Sequence, residues 1–231
     1  MPGSIVKGKL TISKWYQGIP KKKFILDVGP GWATYSKLLR SGGEIWHAVE
    51  IYKPYVDRYD LNKHYDKVFV NDIKKFDPKI IYDIVILGDV VEHLNNKDSI
   101  HVLKKLFVYS RWCIISLPLT AETHYPSENA SSYFGNIHER HIGSWSNKLF
   151  LRTVIDLGGE IVAMEKYFDL AIYLIATQAK GKYTSEHFQN PKDWFLSKYS
   201  NWFKNKEEGI IQEYVRRIIK LIYNNLTLKS H

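Results

Sequence analysis

Cysteine is almost missing: the 231 residues include one, Cys113. This excludes an internal disulfide framework and any zinc site built from several thiolates. Cys113 lies inside the apolar run from Arg111 to Leu117, so it reads as a packed core residue rather than a nucleophile. Long apolar runs are lacking too, since none reaches the roughly 18 residues that cross a bilayer. The chain opens with no signal-peptide pattern, and a cytoplasmic location is expected. There is no internal repeat or low-complexity tract. Acidic residues are missing from the first 23 positions, which carry six lysines.

What remains is the composition of a packed globular protein, 45% hydrophobic, 14% aromatic and 25% charged. The length suits one sizeable α/β domain with appendages. The net charge of +9 belongs to the flanks. Residues 180–231 hold ten Lys or Arg against five acids, which leaves the middle at about −2. Basic flanks of this kind suit contact with an anionic surface, and equally a solvated face.

Three regions follow: a covering segment over 1–23, with Trp15-Tyr16 as its anchor; a core domain over 24–178; and a helical, basic and aromatic extension over 179–231. Within the core, apolar runs at 24–28, 45–49, 67–70, 82–87, 112–117, 161–167 and 171–177 alternate with helical stretches at 32–41, 97–109 and 146–157. Strands alternating with helices predict a doubly wound, mostly parallel sheet covered on both faces, and the two adjacent last runs predict an antiparallel hairpin at its edge. In the helix over 97–109 the predicted apolar stripe is Ile100, Leu103, Leu106 and Phe107. In the extension, aromatics from Trp194 to Phe203 and an isoleucine-rich stripe from Ile210 to Ile222 with Arg216, Arg217 and Lys220 beside it fit a packing face, a subunit contact or a peripheral membrane contact, placed over 191–223.

The chemistry is concentrated at strand ends. Phe24 to Thr34 reads as a strand, a Gly29-Pro30-Gly31 turn and a helix start, a cradle for a nucleotide-like ligand because glycine allows both the tight turn and close backbone approach. In a dinucleotide fingerprint the third glycine would stand at Thr34, and Asp27 would face a pyrophosphate; both details disfavour that ligand. A cationic ligand carrying an α-amino group and a sulfonium is favoured by Asp27 instead. Glu50 ends the second strand 19 residues after Gly31, placed to hold two ribose hydroxyls. Asp72 follows the third strand, suited to an adenine amine, and Asp89 follows the fourth. Each acid alone is also a plausible helix cap or surface group.

These residues, with the segment Tyr82-Asp83-Ile84-Val85-Ile86-Leu87-Gly88-Asp89-Val90-Val91-Glu92-His93-Leu94, resemble a class I S-adenosylmethionine-dependent methyltransferase over residues 20–178. The resemblance implies a seven-stranded Rossmann-like sheet with an antiparallel last strand, S-adenosyl-L-methionine as cofactor, and cofactor contacts from Asp27, Gly29, Gly31, Glu50, Asp72 and Asp89. It departs at Ala33, where many members carry a third glycine, and at Arg111-Trp112, where a Pro-Gly-Gly is usual. Candidate bases for an acceptor are Glu92 and His93 after the fourth strand and His124, His138 and His141 after the fifth. The stretch Gly135 to Ser146 resembles one found in small-molecule and sugar methyltransferases, which makes His141 the first candidate and His93 the second. The implied acceptor is a hydroxyl or amine of a small molecule or saccharide, with no metal required. An alternative resemblance, to small-RNA 2′-O-methyltransferases, would make Asp89, Glu92, His93 and His141 metal ligands, with Trp145 also matching. Nucleic acid is the less favoured partner, and a non-catalytic cofactor-binding or membrane-surface protein is a further alternative.

Overall fold

The computed structural model describes residues 6–19, 21–119, 136–167 and 169–177. The described residues lie in the first of two units into which the chain divides, residues 1–183. The extension over 179–231 and its expected stripes lie outside the described residues.

Seven strands form one sheet: β1 (Phe24–Val28), β2 (Ile45–Glu50), β3 (Lys67–Val70), β4 (Tyr82–Gly88), β5 (Ser110–Pro118), β6 (Glu160–Tyr167) and β7 (Leu170–Ala176). Their order across the sheet is β3-β2-β1-β4-β5-β7-β6. The first five pair in parallel, in a register that sets Asp27 beside Ala48 and Ile86. β7 runs antiparallel to both β5 and β6, so the last strand among the described residues is inserted between them rather than added outside. Ile84 to Leu87, Cys113 to Ile115 and Ala171 to Ile175 are solvent-free, because helices cover both faces of a parallel sheet and its strands need not alternate. Cys113 is a core thiol whose pKa burial pushes up to about 12, which leaves it uncharged and inert.

The helices are α1 (Val6–Gly18), α2 (Thr34–Leu39), α3 (Lys53–Arg58), α4 (Leu61–His64), α5 (Asn96–Val108) and α6 (Asn147–Asp156). α5 is capped by Asn95, whose side chain accepts from the Asp98 amide, and buries Ser99, Val102, Leu103, Leu106 and Phe107. Three of the four predicted members, Leu103, Leu106 and Phe107, are buried; Ile100 faces out, and Ser99 and Val102 complete the buried stripe in the first turns. Ser146 caps α6 by accepting from the Leu149 amide.

The covering segment proves to be largely helix α1. Ile12, Trp15, Tyr16 and Ile19 recur at helical spacing and are all buried, while Thr11 donates to Glu165 on β6 at 2.8 Å. Trp15 and Tyr16 are the anchors expected of them, and Tyr16 stacks obliquely on Trp46 of β2 with ring centroids 5.7 Å apart.

Candidate functional site

At the carboxyl ends of β1, β2 and β4 lies an open-mouthed cavity of about 800 Å³, solvent at its mouth included. Gly29, Gly31, Glu50, Asp72, Asp89 and His93 all contribute to its wall. The turn after β1 is shaped by Gly29 at φ 62° and Gly31 at φ 49°, both left-handed. A side chain at Gly31 would meet nothing within 4 Å, so the space beside it is open to a guest. Ala33 also takes a left-handed conformation, φ 57°, at the position where the resemblance expects glycine. Its strain, roughly 1 kcal/mol, explains why glycine suits that position.

Glu50, 4% exposed, accepts from the Tyr52 amide at 2.8 Å. Burial raises its pKa to about 7, opposed by backbone N–H groups of Tyr52, Gly31 and Ile51 and assisted by the charge of Glu139. Asp72 accepts from the Lys74 amide at 2.9 Å and lies 3.6 Å from its Nζ. Asp89 adopts φ 55°, held there by Ser116: the Ser116 hydroxyl donates to Asp89 Oδ1 at 2.7 Å, and the Asp89 amide donates to the Ser116 carbonyl at 3.1 Å. Strained backbone held by specific bonds is a usual property of ligand sites.

Asp27 lies beneath the turn, fully buried, and its side chain is not part of the cavity wall. Its Oδ2 accepts from Tyr65 Oη at 2.5 Å, and its Oδ1 has no partner. Burial lifts its pKa to about 7, against the Tyr65 hydrogen bond and with a smaller push from Glu50. Near it the Tyr35 hydroxyl of α2 is held un-ionised, first by burial and then by the charges of Asp89, Asp27 and Glu92.

On the other side of the site a 3-10 turn, Val91–His93, follows β4. Glu92 is fully buried and neither carboxylate oxygen has a hydrogen-bond partner. Burial, then Asp89, pushes its pKa well above the ordinary range, so the protonated form is favoured. Its backbone carbonyl accepts from the amides of Ile142 and Gly143, each at 2.9 Å, which brings the post-β5 segment onto the turn. His93 Nδ1 lies 3.2 Å from the Arg140 carbonyl; a carbonyl only accepts, so Nδ1 carries the proton and Nε2 keeps its lone pair. The His93 and His141 rings stand edge to face at 4.9 Å. Burial, then His141, depresses the pKa of His93 to about 4, and burial lowers that of His141. Both are neutral at pH 7.

Ligand atoms of Glu92, His93 and His141 lie within 4.8 Å of one another, a spacing and donor set that fit one divalent cation. Asp89 stands outside this trio, with its carboxylate engaged by Ser116. His138 lines the cavity with Asn136 and Glu139, whereas His124 lies outside the described residues. Trp145 is a core residue, packed edge to face on Phe150 at 5.5 Å.

Two wall residues have no counterpart among the sequence candidates. Tyr55 of α3 donates a short hydrogen bond to Glu139 Oε1, and both line the cavity. The tyrosine-rich stretch after Glu50 was the available signal for the first; nothing in spacing pairs it with position 139.

No family model and no curated protein matches the chain. Solved structures do. An O-methyltransferase family protein from Burkholderia thailandensis superposes with a TM-score of 0.55 at 11% identity, over 75% of this chain and 57% of its own. This chain thus spans little more than half of that protein. Magnesium protoporphyrin IX methyltransferase from Synechocystis PCC 6803, solved with bound SAH, gives 0.58 at 16% identity, over 74% of this chain and 82% of its own. Small RNA methyltransferase HEN1 gives 0.56 at 17% identity, over 80% of this chain and 27% of its own. At such identities the likeness establishes the fold, and it is the one the sequence resemblance implied.

Proposed function

We propose that this chain, which has the class I S-adenosylmethionine-dependent methyltransferase fold, is a methyltransferase using that cofactor, and that its acceptor is a hydroxyl or amine of a small molecule or saccharide. The observation carrying this reading is a single cavity in which the Gly29–Gly31 turn, Glu50, Asp72 and Asp89 meet at the carboxyl edge of the sheet. Ligands of open α/β sheets bind there. The lining fits the cofactor: its acids can accept from an ammonium and a ribose diol and favour the positive sulfonium, and the open space at Gly31 admits close backbone approach.

When bound, the cofactor supplies an electrophilic methyl group. The chain's own part is alignment and proton handling. Glu50 would accept from the ribose hydroxyls and Asp72 from the adenine amine. Asp27, under the turn, favours a cation above it when ionised. His93 Nε2 and His141, both neutral at pH 7, are free to take the proton that a hydroxyl acceptor releases.

Isothermal titration with S-adenosylmethionine tests the cofactor half. Binding by the wild type that is lost in an Asp27→Ala, Glu50→Ala double variant is the expected result; no binding, or equal binding by the variant, overturns the reading.

A second reading is favoured by the Glu92, His93 and His141 trio. The residues present fit a divalent cation, whose chemistry would be to polarise an acceptor hydroxyl, and HEN1 is among the structural neighbours. Under it the acceptor is a ribose 2′-hydroxyl of RNA. Metal binding that requires all three residues, read by calorimetry on the cofactor-free protein, would favour this reading, and activity indifferent to EDTA would remove it.

A further inference from the structure

The segment 136–144 touches both sides of the site. Its later half is fastened to the elements after β4: Arg140 accepts from His93, Ile142 and Gly143 donate to the Glu92 carbonyl, and Ser144 exchanges two hydrogen bonds with Asn96 at 2.8 and 2.9 Å. Its earlier half is a 3-10 turn, Ile137–Glu139, started by Asn136, whose side chain accepts from the His138 amide at 3.0 Å. That half reaches across to α3, where Tyr55 Oη donates to Glu139 Oε1. Tyr55 is itself fixed, buried and stacked edge to face on Tyr52 at 4.9 Å and obliquely on Tyr59 at 5.0 Å. Glu50, Tyr55, Asn136 and Glu139 all line the same cavity, and Glu50 feels the Glu139 charge.

We infer that Tyr55 and Glu139 form a clasp across the cofactor cavity, positioning residues that keep the adenosyl ligand in place by joining the β2–α3 wall to the segment carrying His138 and His141. A ligand seated against Glu50 leaves past this bond. Opening it loosens the Ile137–Glu139 turn, while the bonds at His93, Glu92 and Asn96 keep residues 140–144 in place. Release of the spent cofactor is thereby tied to the acceptor side of the site. The inference rests on the cofactor assignment above, but the clasp is also visible without any ligand.

The test uses the full chain and S-adenosylhomocysteine as probe. Stopped-flow displacement should show dissociation about tenfold faster in Tyr55→Phe, the ordinary effect of losing one hydrogen bond, with association within about twofold of wild type. Glu139→Ala should match it, the Tyr55→Phe, Glu139→Ala double variant should add nothing further, and Glu139→Gln, which keeps an acceptor oxygen, should release at close to the wild-type rate. In the ligand-free protein, amide exchange at residues 137–139 should quicken in Tyr55→Phe while Ile142 and Gly143 stay protected. Unchanged release and exchange in Tyr55→Phe and Glu139→Ala overturn the clasp; so does release from Glu139→Gln as fast as from Glu139→Ala, which would give the role to charge. If the wild type binds no probe, the cofactor assignment falls, and the exchange measurement alone decides the clasp.

Discussion

On the β1–β3 side of the cavity the wall acids are already engaged, Glu50 by the Tyr52 amide and Asp72 by the Lys74 amide, so their positions are set before any guest arrives. On the β4–β5 side Glu92 keeps both oxygens without a partner, beside two histidines that burial holds neutral. A buried carboxyl without partners costs stability, roughly 1–3 kcal/mol or more when charged. The first side is a finished cradle; on the second the wall acid Asp89 is held by Ser116, and Glu92, buried outside the cavity wall, is the group left incomplete. Engaged groups orient a ligand; unengaged ones are available to exchange a proton or take a cation. Under the proposed function, the contrast separates the groups that would hold the cofactor from those that would handle the acceptor's proton.

The sharpest way to break that contrast is at its incomplete side. His141→Ala and His93→Ala should each lower methyl transfer by about a hundredfold or more, the usual weight of a positioned base, while calorimetric cofactor affinity moves less than about threefold. A comparable loss of affinity would erase the division of labour. Glu50→Ala should do the reverse, weakening cofactor binding by about a hundredfold as two charge-assisted hydrogen bonds disappear. Unchanged affinity would move the ribose elsewhere.

A smaller effect concerns charge beneath the cradle. With folded pKa values near 7, Asp27 and Glu50 bind protons in the folded state that the unfolded chain has released. Stability from these groups is full below the unfolded value near 4 and is lost as pH rises to about 7. His93 acts oppositely: its depressed value gives stability present above about 6.5 and lost as pH falls toward 4. Between pH 6.5 and 7 the acids dominate, and the ligand-free protein should lose up to about 1.4 kcal/mol per pH unit for each. Denaturant titrations of Asp27→Asn, which keeps an acceptor for Tyr65, should show a shallower slope in that window. The smallest stability effect is expected at Gly31→Ala, about 1 kcal/mol for a side chain at φ 49° with no clash, yet the added methyl points at cofactor space and should weaken binding further. Melting temperature and affinity measured together separate the two.

Much of this was legible in the chain. Apolar runs around Asp27 and before Glu50 marked β1 and β2 because strands buried on both faces need no alternation; β3, a half-exposed edge strand, was marked by its short run before Asn71-Asp72. α1 was not predicted as a helix, since Gly8 and interspersed lysines obscure Ile12, Trp15, Tyr16 and Ile19. Nor was the depth of Asp27, which a strand's two-residue alternation leaves undecided when both faces are covered. Asp89 shows the same limit from another direction: Ser116 lies on a strand 27 residues on and engages its carboxylate, and Asp89 stands apart from Glu92, His93 and His141, with which the alternative resemblance grouped it. Pairings such as Tyr55 with Glu139 depend on where a loop lands, which no local pattern encodes.

The insertion of β7 between β5 and β6 also governs how the chain is made. β5 pairs with β4 on one edge, but its other edge is filled by a strand synthesised much later, Trp112 meeting Ala176 and Pro118 meeting Leu170. During synthesis β5 is therefore a bare edge with an apolar centre, Trp112 to Ile115, the kind that recruits other chains. Long-range closure of that sort is slow. Truncation before Leu170 should yield an aggregating product rather than a smaller folded domain, and the emerging chain should depend on chaperones until β7 leaves the ribosome.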